Sequence, residues 1–572
     1  MLFNLIDDMR NKTTNPIFIG TCLVLLFILF IRINYGLDLT DEMQYYGEIK
    51  GLIDTGTLFS NDLFFQQSVY ILFFPFFYLY HLLFGFEGLV FFSRLLMSML
   101  SILVFLYAYQ KLLKLKFSVT VASLTALALT FAIPIGGVFA PSYNTISQFF
   151  WIVFTLRFYE WKKSTAFSWG LIPIITVFAH PTSAVMMALL IFVRLWVERE
   201  FKRIIELFLV FLGGAFIVTL IFLYFATPQE YLSSITFSSG YSVGTRFFSN
   251  RSEQLRLAII YIIFLVTYVA FGNFWLFQRV FNKLNFIWFT NLTIGIAIIL
   301  FSMGTEGSFG YFTPMVVNFL SGLSVLAYGW SLSNTPEENI NFKVQINWLI
   351  VLLLGYATTI GVTSGNGIAQ STFAFQVVLP LLLGIAVNSA PNKKKTDNFL
   401  KLLCPILLVI LYAVHWSFNP YQENVWWKAT QPIQFVPEFR FINTSQDRVE
   451  FIQRMKYELQ SKVQGKRALI ISYFPGLYLA LDTHPETCML FMHSLTSDKS
   501  EKALIDCLHK KQPEVVVNIF TNNNIVEENS RIKNVMRNYY SQLGFVCTIK
   551  IIGFTFKDNF NPLQLKYLLC NR

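Results

Sequence analysis

The sequence predicts an α-helical polytopic membrane protein with about 13 transmembrane helices and a C-terminal extracytoplasmic α/β domain. Three observations predict it. Hydrophobic residues make up 55% of the 572, charged residues only 13%, and Phe alone occurs 62 times, more apolar side chain than a soluble core takes in. Apolar windows of about 20 residues, the length a helix needs to cross the hydrocarbon layer, recur as far as residue 418. From about Asn419 the pattern changes to helix-period and strand-period segments of soluble composition.

The net charge of +11 does not point to nucleic acid. The Lys and Arg are scattered through short loops between apolar runs, as in a membrane protein that marks its cytoplasmic side. One run, Val69 to Phe84, decides the topology. It is short, contains Pro75 and His81 and is rich in Tyr and Phe, which suits a helix lying in the interface. Read as non-spanning, it leaves Lys111, Lys114, Lys116, Arg157, Lys162, Lys163, Arg199, Lys202, Arg203, Arg279, Lys283, Lys343 and Lys393 to Lys395 all on the cytoplasmic side. Read as spanning, it inverts that bias for every later loop.

The spans then fall at 16–35, 88–109, 117–136, 144–160, 166–180, 182–198, 204–226, 255–277, 284–304, 311–331, 345–363, 371–389 and 398–417. The N-terminus is expected in the cytoplasm, with the first apolar run kept as an anchor because it lacks a small-residue cleavage site. The membrane domain covers 1–418, with an acidic first outer loop at 36–87 and a long outer loop at 227–254. An inner-membrane, multi-pass location follows, with the lipid bilayer as the first partner and no nucleic acid.

The region 419–572 reads as a helix at 446–464, a strand at 468–473, a helix at 500–511, a strand at 515–520, a helix at 526–542 and strands at 546–556 and 564–569. It carries no Gly-rich phosphate loop, zinc spacing or nucleophile elbow. Trp416, Trp426 and Trp427 read as interfacial anchors. Cys488, Cys507, Cys547 and Cys570 all lie in this region, an even number that allows three pairings. Outside the cytoplasm one or two disulfides are open to them.

The stretch with chemical content is Leu37-Asp38-Leu39-Thr40-Asp41-Glu42-Met43-Gln44-Tyr45-Tyr46-Gly47-Glu48-Ile49-Lys50, just beyond the first span. It predicts a helix N-capped by Thr40, with acids in its first turn. A Gly56-Thr57-Leu58 turn follows, then the aromatic helix with its Pro, then a span with an early Arg, Arg94. This pattern resembles the C-type (GT-C) membrane glycosyltransferases, the superfamily of protein O-mannosyltransferases and lipid A aminoarabinose transferases. The resemblance covers the first third of the chain in its motifs and the remainder in layout. It implies a polyprenyl-phosphate sugar donor, a glycan or glycolipid acceptor, and an Asp of the Asp-Glu pair acting at the acceptor.

Such a transfer needs a base for the acceptor hydroxyl and cations for the departing phosphate. Asp41 is the first candidate base, with Glu42 and Asp38 next, and a single base implies inversion. Arg246 and Arg251, in the Gly/Ser-rich outer loop, offer fork-shaped donors to a phosphate, or to ordinary lipid headgroups. Arg94 is a charge inside a span and supports the site or snorkels. Lys50 is a further cation or a partner of Glu48 or Asp54, and His180 reaches either phosphate or a helix-end hydrogen bond. Tyr45, Tyr143 and Asn144 are candidates for holding the acceptor or bracing the loops. Many members of the superfamily carry a second acid in the next outer loop, whereas Gly136 to Asn144 here has none. With so few carboxylates no metal is expected, and no cofactor. A transporter or flippase of lipid-linked glycans is the alternative. It calls for charges or broken helices at mid-membrane, whereas the acids here cluster at an outer face. A receptor would leave the Asp41 stretch without a role.

Overall fold

The computed structural model describes residues 15–242 except 60, 135–137 and 160–164, scattered helical residues between 348 and 406, and residues 426–571 except 473, 486, 489, 491–497, 512, 522–545 and 559–560. The spans expected between 255 and 331, the helix expected at 526–542, and Arg246 and Arg251 lie outside the described residues. The spans expected at 345–363, 371–389 and 398–417 are described only in part.

The first helix, α1 (Pro16–Asn34), starts where Asn15 Oδ1 accepts the Ile17 N–H at 2.9 Å and Pro16 presets the first turn. It stops at extended Tyr35 and Gly36, which bridge to Asn443 in the C-terminal region. Then comes α2 (Asp41–Thr55), closed by Gly56 at φ 69°, a left-handed position that costs a glycine nothing. A short 3-10 turn, Phe65–Val69, runs into α3 (Tyr70–Phe84), and α4 (Leu89–Lys114) follows. The apolar hairpins continue with α5 (Val119–Phe131), α6 (Tyr143–Tyr159), α7 (Ala166–Ala179), α8 (Pro181–Val197), α9 (Phe201–Phe225) and α10 (Pro228–Ser242). The bounds of α1 and of α4 to α9 agree with the expected spans to within about five residues.

Among the described residues, Pro16–Asn34, Phe65–Phe84, Leu89–Lys114 and Phe201–Phe225 are long and apolar enough to cross a membrane. The outward side chains of α9, including Phe208, Leu212, Phe216 and Leu220, are large, apolar and exposed, as a lipid-facing surface requires. Phe65–Phe84 passes on length and composition, yet both of its flanks meet the C-terminal region. The Leu63 N–H bonds the Cys488 carbonyl at 2.9 Å, and the Gly88 N–H bonds the Pro437 carbonyl at 2.8 Å.

The C-terminal region opens with the two-stranded β1 (Gln431–Pro432) and β2 (Asn443–Thr444). Its helices are α11 (Gln446–Val463), the single turn α12 (Gly476–Ala480) and α13 (Asp498–Lys511). The strands β3 (Arg467–Ile471), β4 (His484–Pro485), β5 (Val515–Thr521), β6 (Val546–Asp558) and β7 (Asn561–Asn571) form one sheet in the order β4-β3-β5-β7-β6. β3 lies parallel to β4 and β5, and β7 runs antiparallel to both its neighbours. Val449, Ile452, Met455, Leu459 and Val463 put one buried stripe along α11 at helical spacing. Cys488 and Cys507 form a disulfide.

Candidate functional site around the first acidic helix

The first loop does not lie open on a membrane surface. Residues 42 to 49 of α2 are all buried, because the C-terminal region packs on them. Gly476 sits against the start of α2, where a Cβ would come within 2.9 Å of Met43 Cγ and 3.1 Å of Leu39 Cδ2; its N–H bonds the Leu39 carbonyl at 3.2 Å. Only glycine permits this approach without displacing Met43.

Thr40 holds the N-cap position as expected, but the side chain that caps the helix is that of Asp38. Asp38 Oδ2 accepts the Glu42 N–H at 2.9 Å, and Oδ1 accepts both the N–H and the hydroxyl of Thr40, at 2.8 and 2.5 Å. Thr40 makes no side-chain cap bond of its own. The spacing favoured Thr40, but its hydroxyl is spent as a donor to the acid two residues earlier. Burial, then the charges of Asp41 and Glu42, push the Asp38 carboxyl up to about 7, against the bonds from Thr40 and the Glu42 backbone.

Glu42 is 2% exposed and gripped from α4. Arg94 Nε lies 2.8 Å from Oε1 and a terminal nitrogen 2.7 Å from Oε2, while the Tyr46 hydroxyl donates to Oε1 at 2.8 Å. Arg94 therefore braces α2 against α4, its charge matched by Glu42. The sequence reading missed Arg32 near the end of α1, buried with its guanidinium 5.6 Å from the Phe139 ring centroid and in electrostatic range of Glu42, Arg94 and Tyr46. Its signal was the one that singled out Arg94, a charge near the outer end of a span.

Of the three acids, Asp41 alone is half-buried, with Asp38 and Glu42 enclosed behind it. One turn further on is Tyr45, whose phenol burial pushes well above its ordinary range, with Tyr143, Asp41, Glu48 and Asp38 adding to the effect. Tyr143 stacks on the His180 ring at 6.5 Å between centroids and 10° between planes. His180 caps α8: Nδ1 takes the Ser183 N–H at 3.2 Å and lies 2.9 and 3.0 Å from the Ser183 and Thr182 hydroxyls. A nitrogen that accepts a backbone N–H carries no hydrogen, so Nε2 bears the proton. Asp41, Tyr45, Tyr143 and His180 thus form one neighbourhood, and Asn144 follows Tyr143, half-buried, at the start of α6.

Lys50 does not join it. Its Nζ is 2.9 Å from Glu438 Oε1 and 4.9 Å from the Phe86 ring centroid, so its partner is neither Glu48 nor Asp54. It pins the C-terminal region to the first loop. A second buried acidic pair also escaped the sequence reading. Gln44 Nε2 reaches Glu48 Oε1 at 2.9 Å and Asp62 Oδ2 at 3.4 Å. Burial pushes Asp62 up to about 7 against its hydrogen bonds, and burial with the Asp62 charge pushes Glu48 well above the carboxylate range. The helix α10, which ends four residues before Arg246, packs on the same loop. Ser238 Oγ accepts the Phe65 N–H at 2.9 Å, and Phe237 meets Phe64 edge-on at 5.1 Å.

No family model matches the chain, and no curated protein matches it in sequence. Among solved structures the chain is similar to a crystal structure of ArnT from Cupriavidus metallidurans bound to undecaprenyl phosphate. The identity is 12% and the TM-score 0.37, over 96% of this chain and 97% of that one.

Proposed function

We propose that the protein is a membrane glycosyltransferase that moves a hexosyl or pentosyl group from a polyprenyl-phosphate donor to a lipid-linked or cell-surface glycan on the extracytoplasmic face, with inversion. The observation that carries this is the division of labour among three neighbouring acids. Asp38, at the helix start, and Glu42, paired with Arg94, are enclosed, whereas Asp41 is half-buried and is the acid of the three that an acceptor can approach. In the reaction Asp41 takes the acceptor hydroxyl proton as that oxygen attacks the anomeric carbon. The bond from that carbon to the phosphate oxygen breaks on the opposite face, and polyprenyl phosphate leaves with the electron pair. Arg246 and Arg251, on the chain that continues from α10, and the Nε2–H of His180 are the groups proposed to meet the leaving anion. Tyr45 stays neutral and, together with Tyr143, orients the acceptor, with Asn144 beside them. Glu42, Arg94, Asp38 and Lys50 hold the frame.

The same reading sets the topology. It has about 13 spans, a cytoplasmic N-terminus and the region 419–572 outside the membrane as an α/β domain. α3 lies along the interface, because a helix whose two flanks bond one extramembrane region does not carry the chain to the other side.

The test is Asp41→Asn, assayed with a panel of labelled polyprenyl-phosphate hexoses and pentoses and host membranes as acceptor. The variant is expected to lose transfer by about a hundredfold or more while binding undecaprenyl phosphate as the wild type does. Unchanged transfer at normal protein levels removes the assignment.

A further inference from the structure

Asp62 is 1% exposed and lies in the first loop, well away in sequence from the acids of the proposed reaction. Its Oδ1 accepts the Phe64 N–H at 2.9 Å, and its Oδ2 accepts the Leu490 N–H at 3.1 Å and faces Gln44 Nε2 at 3.4 Å. Gln44 stands on α2 one turn after Asp41, so a single carboxylate joins the acidic helix, the first loop and the C-terminal region. The neighbouring contacts follow the same line. The Leu63 N–H bonds the Cys488 carbonyl, and Leu490 packs so closely on α2 that a Cβ at Gly47 would lie 3.0 Å from its Cδ1. The Cys488–Cys507 disulfide ties this segment to α13, which packs on α10.

We infer that Asp62 is a positioning residue for the transfer reaction, the point through which the C-terminal region sets the place of the Asp41 helix, with the Cys488–Cys507 bridge holding the far side of that contact. The inference rests on Asp41 as base. The physical reason is donor counting. Every group that hydrogen-bonds to the Asp62 carboxylate is an N–H donor, so an amide in its place turns an NH2 toward a donor and opens the junction without changing the side chain's size. A helix start displaced by an ångström moves the base away from the acceptor oxygen, while the phosphate of the donor is met by other elements.

The experiment uses the full chain in nanodiscs. Asp62→Asn is expected to lower kcat by about tenfold to a hundredfold, with the donor KM and the affinity for undecaprenyl phosphate unchanged. In a Cys488→Ser/Cys507→Ser background, where the same contact is already loosened, Asp62→Asn is expected to add little further loss. Three results overturn the inference: an unchanged kcat, a loss of undecaprenyl phosphate binding in step with kcat, or fully additive losses in the two backgrounds. Asp41→Asn, run alongside, separates the two readings. If it keeps transfer, the base assignment falls; if it is inactive and Asp62→Asn is normal, only the role of Asp62 falls.

Discussion

Arg94 and Glu42 meet through two charge-assisted hydrogen bonds, at 2.8 and 2.7 Å, with both side chains buried. Removing one member leaves the other's buried charge without its counterpart, whereas removing both leaves neither charge of the pair. Glu42→Gln or Arg94→Leu is therefore expected to cost about 3 to 5 kcal/mol, and the double variant less than either single one. Thermal unfolding in detergent reads this directly. A double variant that loses the sum of the two single losses would show that the pair is not coupled.

Stability is expected to fall as pH rises. Asp38 and Asp62 are both pushed up to about 7 in the folded protein, from 3.8. Between those values the folded chain binds more protons than the unfolded one, so their contribution is whole below about pH 4 and lost as pH passes about 7. The Tm in detergent should be lower at about pH 8 than at about pH 5, and Asp38→Asn should flatten that slope. A Tm that rises over this interval contradicts the assignment.

The interfacial placement of α3 has a labelling consequence. Glu87, just after α3, pairs with Arg440 of the C-terminal region, while Lys114 ends α4. A membrane-impermeant thiol reagent should modify Glu87→Cys and the highly exposed Tyr457→Cys from outside intact cells, and Lys114→Cys only after permeabilisation. If α3 crossed the bilayer, every later segment would change sides, so Glu87→Cys and Tyr457→Cys would both be protected and Lys114→Cys would be modified from outside.

The membrane helices were legible because crossing a bilayer imposes a length and an apolar composition that any 20-residue window reveals. The acidic first turn of α2 was legible too, and so was Arg94 as a charge out of place in a span. What the same residues do was less so. Thr40 looked like the cap because spacing names a residue type, while the hydroxyl's actual partner, Asp38, depends on how the chain leaves α1. Asp62 gave no signal and Glu48 only that of a candidate partner for Lys50, since a carboxylate in a loop or on a polar helix reads as solvated until something covers it.

By itself, then, the sequence marked this chain for a membrane, placed the described helices α1 and α4 to α9 to within a few residues, and singled out the acids beyond the first of them. Tertiary structure alone decided which acids are enclosed and which is only half-buried. Lys50 finds Glu438 across 388 residues, and Gly476 comes down on Leu39 and Met43. Periodicity encodes only neighbours within a few turns, whereas burial and charge pairing depend on what another part of the chain brings from far away.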